Sequence, residues 1–150
     1  PVFAGGLVLV NTGFGKADLW ALRPDGRGDV TDTHVAWKCT QGVPIKPSPV
    51  ASGGLVFMAS DSGIATCLEA RTGKVVWKER LGGQFSASPI LAAGRVYFPD
   101  EDGVTTVIRA GEKFEILAAN RLDAGCMASP AVAGGSIFLR TKTHLVRIGK

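Results

Sequence analysis

The chain has 150 residues, of which 45% are hydrophobic and 20% charged, with 20 glycines and 8 prolines. Its 17 basic and 13 acidic side chains leave a net charge of +4, scattered along the sequence and not gathered into a stripe, which argues against a nucleic-acid partner. No apolar run approaches the roughly 20 residues of a bilayer span, so no transmembrane segment is expected in this chain.

The chain opens on Pro1-Val2-Phe3-Ala4-Gly5-Gly6-Leu7-Val8-Leu9. It starts without methionine and shows no signal peptide, which marks it as a fragment or a processed form. The opening phrase returns in clearer form: Pro49-Val50-Ala51-Ser52-Gly53-Gly54-Leu55-Val56-Phe57, then Pro89-Ile90-Leu91-Ala92-Ala93-Gly94-Arg95-Val96-Tyr97, then Pro130-Ala131-Val132-Ala133-Gly134-Gly135-Ser136-Ile137-Phe138. The prolines stand 48, 40 and 41 residues apart. A period near 40 built from short β-type runs indicates propeller blades of about four strands each.

In the first repeat, residues 1–48, the excess length falls in the polar loop 23–32, after which Val35-Ala36-Trp37-Lys38 reads as a strand. The second repeat, 49–88, gives strands at 55–60, 64–69 and 75–78, parted by Asp61-Ser62-Gly63 and by Arg71-Thr72-Gly73-Lys74. The third, 89–129, follows the same grammar: strands at 96–98 and 104–109, with Phe114-Glu115-Ile116-Leu117 in the place of the tryptophan strand. The fourth, 130–150, offers strands at 137–140 and 144–148 and no tryptophan strand after them. The expected fold is therefore all-β, a β-propeller fragment of about four blades with the last one incomplete. Its open edge at 144–148 calls for a covering strand.

The segment Cys67-Leu68-Glu69-Ala70-Arg71-Thr72-Gly73-Lys74-Val75-Val76-Trp77 resembles the tryptophan-docking repeat of PQQ-like β-propellers, a WD-like repeat. Thr72, Gly73, Lys74 and Trp77 match the motif, while Cys67 stands for its Ala and Glu69 for its Asp. The turn reverses the chain, and the Trp ring packs flat against a neighbouring blade; Trp37 occupies the same place one repeat earlier. Ser48-Pro49, Ser88-Pro89 and Ser129-Pro130, and the terminal Thr143-His144-Leu145-Val146-Arg147-Ile148-Gly149, also look like this family. It includes quinoprotein dehydrogenases, the propeller lipoprotein of the outer-membrane β-barrel assembly machinery, and bacterial secreted or periplasmic propellers of unassigned function, the last being closest in texture. The resemblance implies a periplasmic or secreted location. It also implies that a strand from the absent N-terminal part of the same propeller, or a ring-closing second copy, completes the last blade.

Function is expected where the repeats differ. The residues before each Ser-Pro vary while the framework recurs: Ile45 and Lys46, Phe85 and Ser86, Cys126 and Met127. Positions that vary within a repeating frame are free to carry recognition, and these are expected to form the ligand-binding mouth of the channel. The other signals are weaker. The loop Asp25-Gly26-Arg27-Gly28-Asp29-Val30-Thr31-Asp32 offers carboxylates, but Arg27 intervenes and the spacing fits no EF-hand, so no metal site is expected. Arg27-Gly28-Asp29 spells an integrin-type tripeptide too short to weigh. His34 and His144 lie far apart with no nucleophile beside them, and Asp100-Glu101-Asp102 reads as a hydrated turn. Cys39, Cys67 and Cys126 are odd in number and form no CxxC, which argues against a zinc site or a disulfide framework; Cys67 reads as a core residue.

The resulting expectation is a non-catalytic scaffold that binds a protein or an extended ligand and needs no cofactor. The alternative is a fragment of a PQQ-dependent quinoprotein dehydrogenase, which takes quinone and calcium, and a third class is the sensor propeller of a membrane kinase. The adjacent cysteines often found in quinoprotein dehydrogenases are absent, and most acids lie in turns.

Overall fold

A computed structural model describes residues 1–13 and 15–149. Lys150, the last residue of the fourth repeat, lies outside them. The described residues form fifteen strands in four antiparallel sheets and contain no helix long and apolar enough to cross a membrane. The first sheet runs β1 (Val2–Ala4), β2 (Leu7–Asn11), β3 (Leu19–Leu22) and β4 (Val35–Cys39) in spatial as in chain order. The second is β5 (Val50–Ser52), β6 (Leu55–Ala59), β7 (Ile64–Glu69) and β8 (Val75–Arg80). The third is β9 (Ile90–Ala92), β10 (Arg95–Pro99), β11 (Val104–Arg109) and β12 (Ile116–Arg121); the fourth is β13 (Ala131–Ala133), β14 (Ser136–Arg140) and β15 (Leu145–Ile148). The four-bladed reading therefore holds, including the shorter last sheet.

The Gly-Gly phrases are the two-residue turns between the first two strands of each sheet. Gly53 and Gly54 take φ of 57° and 80°, a left-handed pair that suits the twist of a hairpin. In the third sheet Ala93 holds the first of these places at φ 48°, and it is the only described non-glycine residue with positive φ. A Cβ in that region costs roughly 1–2 kcal/mol.

The second sheet is buried on both faces, because alternate side chains serve opposite neighbours. Val56, Met58 and Leu68 join Leu9, Leu19 and Ala21 in the core between the first and second sheets. Phe57, Ala59, Ala65, Cys67 and Trp77 join Val96, Phe98 and Ile108 between the second and third. Full burial of side chains this large contributes roughly 1.5–3 kcal/mol each, which explains why β6 and β7 read as nearly continuous apolar runs. A register shift recurs at one place in the first three sheets, between Ala21 and Leu22, Cys67 and Leu68, and Val107 and Ile108.

One strand departs from expectation. Of residues 114–117, only Ile116 and Leu117 enter β12, the strand equivalent to the tryptophan strand, and neither holds the tryptophan's own place. Trp77 pairs with Cys67, and the equivalent Val107 pairs with Ala118. The turn before β12 is one residue longer than the turn before β8, which moves the register on by one. Phe114 stays in that turn.

Candidate functional site

The residues named for docking lie at two successive sheet junctions. Trp37 Nε1 donates to the Ala70 carbonyl at 3.1 Å, and Trp77 Nε1 donates to the Gly111 carbonyl at 3.1 Å. Each tryptophan thus locks its sheet to the turn of the next one. Gly73 turns at φ 71°, and a Cβ there would lie 2.6 Å from the Trp37 ring. Thr72 Oγ1 donates to Glu69 Oε2 at 2.7 Å and accepts from the Lys74 amide at 3.2 Å; Lys74 itself contributes its carbonyl, which accepts from the Glu69 amide. Trp77 is 8% exposed and sits between Phe57 and Phe114, with ring centroids 6.1 Å and 5.1 Å away. The Ser-Pro pairs have a role the sequence did not reveal. Ser88 Oγ accepts from the Ser48 amide, and Ser129 Oγ accepts from the Ser88 amide, both at 2.9 Å. These serines staple each inner-strand approach to the next.

The six residues before the Ser-Pro pairs divide into two levels. Phe85 is 2% exposed and packs into the core between the second and third sheets. Cys126 is also buried; its Sγ donates to the carbonyls of Ala128 and Arg140, and burial raises its thiol pKa. Both therefore lie beneath the mouth and not on it, because the linker turns these side chains inward to seal the end of the core. Ile45, Lys46, Ser86 and Met127 remain at the surface or close to it, with Ile45 and Met127 43% and 58% exposed.

Lys46 and Ser86 are held in a network whose acidic members came from the turns. Lys46 Nζ lies 2.8 Å from Ser86 Oγ, 3.4 Å from Glu101 Oε1 and 3.8 Å from Asp61 Oδ1. Ser86 Oγ donates to Glu101, and the Ile45 amide donates to Asp61 Oδ2 at 2.6 Å. The Ser86 hydrogen bond, helped by Lys46 and Lys142, holds the Glu101 carboxyl below its usual pKa. Glu101 and Asp61 hold equivalent turn positions, so sequence periodicity could have paired them with the linkers. The run Asp100-Glu101-Asp102 is accordingly not a uniformly hydrated turn. Asp100 is buried, and its Oδ1 accepts from the amides of Asp102 and Val104 at 3.0 Å and 2.7 Å.

The remaining signals resolve locally. In the polar loop Asp29 Oδ1 accepts from the Thr31 amide at 3.1 Å, and Asp25 lies 3.6 Å from His34 Nε2. His34 and His144 bond the hydroxyls of the residues before them, Thr33 and Thr143. Burial pushes the Cys67 thiol up to about 12, so it behaves as a small apolar group. The inner strands present Val2, Val50, Ala51, Ile90, Leu91 and Val132 around a depression of about 500 Å³ along the channel. Among the described residues no three His, Cys, Asp or Glu side chains gather as metal ligands. Calcium takes six to eight oxygens, roughly, and the side chains of this apolar wall supply none.

The sequence model of one family, described as outer membrane protein assembly factor BamB, matches residues 16–113, more than half of the chain. No curated protein matches the chain. Among solved structures, BamB from Moraxella catarrhalis superposes with a TM-score of 0.74 at 19% identity, covering 97% of this chain and 43% of that one. A quinohemoprotein alcohol dehydrogenase, ADHIIG from Pseudomonas putida HK5, gives 0.67 at 13% identity, covering 87% and 26%. A europium-containing methanol dehydrogenase gives 0.61 at 15% identity, covering 79% and 23%. The chain spans less than half the length of each of these structures, and at these identities the likeness concerns the fold.

Proposed function

The chain belongs to the PQQ-like repeat family described as outer membrane protein assembly factor BamB, and from that premise we propose that it is a non-catalytic propeller scaffold binding a protein or an extended ligand in an extracytoplasmic bacterial compartment. The observation that carries this reading is the linker surface. There Ile45 and Met127 stand exposed on either side of the Lys46–Ser86–Glu101 network. Exposed apolar side chains on a rigid, hydrogen-bonded base are the usual anchors of a protein interface. The same family likeness supports a periplasmic or secreted location.

The quinoprotein reading is weaker, because the channel wall is apolar and the carboxylates of Asp61 and Glu101 already serve Lys46 and Ser86. A partner strand for the fourth sheet belongs to the scaffold reading too. β15 is the edge of a three-stranded sheet, with Leu145 on it 71% exposed, and a strand from elsewhere in the same propeller, or from a second copy, would pair with that edge.

A photo-crosslinking amino acid placed at Ile45 or at Met127 tests the reading. The expected result is one defined protein adduct from both positions in envelope extracts and none from Val76, an exposed position on β8. Dye-linked alcohol oxidation after addition of quinone and calcium would instead support the enzyme and overturn the scaffold.

A further inference from the structure

The second and third sheets can be compared residue by residue on the faces they turn toward the sheet that follows. On the second sheet that face carries Leu55, Phe57, Ala65, Cys67 and Trp77. The same register positions on the third hold Arg95, Tyr97, Thr105, Val107 and Ala118. Apolar fillers have mostly given way to polar or smaller groups, and a cleft opens between the third and fourth sheets. Its inner part, about 270 Å³, is walled mainly by Ile90, Leu122, Pro130, Ile137, Leu139 and Ile148. Its outer part, about 380 Å³, is a depression lined by the third sheet alone and reaches Arg95 and Arg109. The two parts meet at Tyr97 and Asn120, which line both.

The charge at the outer end is unbalanced. Arg95 and Arg109 stand directly opposite each other across β10 and β11, an arrangement that like charges disfavour. Glu115 neutralises Arg109 through contacts of 2.6 Å and 3.3 Å. Among the described residues no ion pair or side-chain hydrogen bond engages Arg95. Water against the apolar inner walls is costly, and a bound apolar group would release it.

We propose that this cleft binds a small amphiphile, with its apolar body between the third and fourth sheets and its anionic head at Arg95. The site is separate from the linker surface and does not depend on what that surface binds. An aromatic side chain from a second copy would fill the apolar part but leave Arg95 without a counter-charge.

Tyr97 is the single tyrosine of the chain, so a 3-fluorotyrosine label places one ¹⁹F resonance at the waist of the cleft. Decanoate, added below its micelle-forming concentration, is expected to shift that resonance saturably, and decyltrimethylammonium is not. Arg95→Leu, which restores the residue of the second sheet, is expected to weaken decanoate roughly tenfold, the loss of one charge-assisted contact. It should leave decanol unaffected. Ala118→Trp is expected to narrow the cleft and abolish the shift, and should that variant not fold, Arg95→Leu decides alone. A resonance that ignores decanoate, or answers equally to the two head groups, overturns the proposal. So does one that moves on protein dilution alone, which would assign the cleft to a second copy.

Discussion

The interface between the second and third sheets and that between the third and fourth are built on one register and differ in filling. In the first, Trp77 crosses to Gly111 and wedges between Phe57 and Phe114, and its neighbours close into a continuous apolar core. In the second, Ala118 stands where the tryptophan would be, on the open face of the third sheet beside the cleft. The framework that sets the register lies elsewhere, in the glycine turns, the recurrent register shift and the Ser-Pro staples. A propeller repeat can therefore give up its docking side chain without giving up its fold, and the vacated volume becomes available for other use.

The comparison breaks most sharply at Trp77. Trp77→Ala should remove the wedge and cost about 3–5 kcal/mol, seen as a large drop in the thermal midpoint. A midpoint that barely moves would mean the two interfaces contribute alike. Gly73→Ala tests the other docked tryptophan. The new Cβ would meet the Trp37 ring at 2.6 Å from a left-handed backbone, and a loss of about 2 kcal/mol is expected in chemical denaturation. Gly134→Ala is its control: it is left-handed too, at φ 53°, but nothing lies within 4 Å, so only the backbone cost of roughly 1 kcal/mol should appear.

A gain is expected at the turn that departs from the glycine rule. Ala93→Gly relieves a left-handed alanine at φ 48° and should stabilise by about 1 kcal/mol, measured as a rise in the denaturation midpoint. Loss of stability there would show that Ala93 makes a packing contribution that outweighs its backbone strain.

The smallest effect concerns acid. The folded pKa of Glu101 is depressed, first by the Ser86 hydrogen bond and then by Lys46. Its contribution is thus present above the unfolded value of about 4.3 and is lost as the pH falls through the lower folded value. Glu101→Gln should flatten the decline in melting midpoint in that acid window and change little near neutrality. Equal acid sensitivity in the variant would place the titrating group elsewhere.

The repeat period, the strands of the second sheet and the docking roles of Trp37, Gly73 and Trp77 were legible in the sequence. They depend on local chemistry: alternation, turn residues that accept positive φ, and a motif contained within eleven residues. The place of Phe114 was not legible, because one extra turn residue shifts the register and only the strand pairing reveals it. The burial of the residues expected at the mouth was not legible. Variation within the repeat singled out those residues, but which side chains point inward depends on the linker path, and this put Phe85 and Cys126 into the interior. The partners of Lys46 and Ser86 lie in turns 15 to 55 residues further along the chain. Such contacts are set by how neighbouring sheets stack, a relation between repeats that no single repeat encodes. The cleft is tertiary for the same reason: Ala118 in the sequence is an ordinary strand alanine, and only the pairing that sets it opposite Val107 shows that it holds the tryptophan's place.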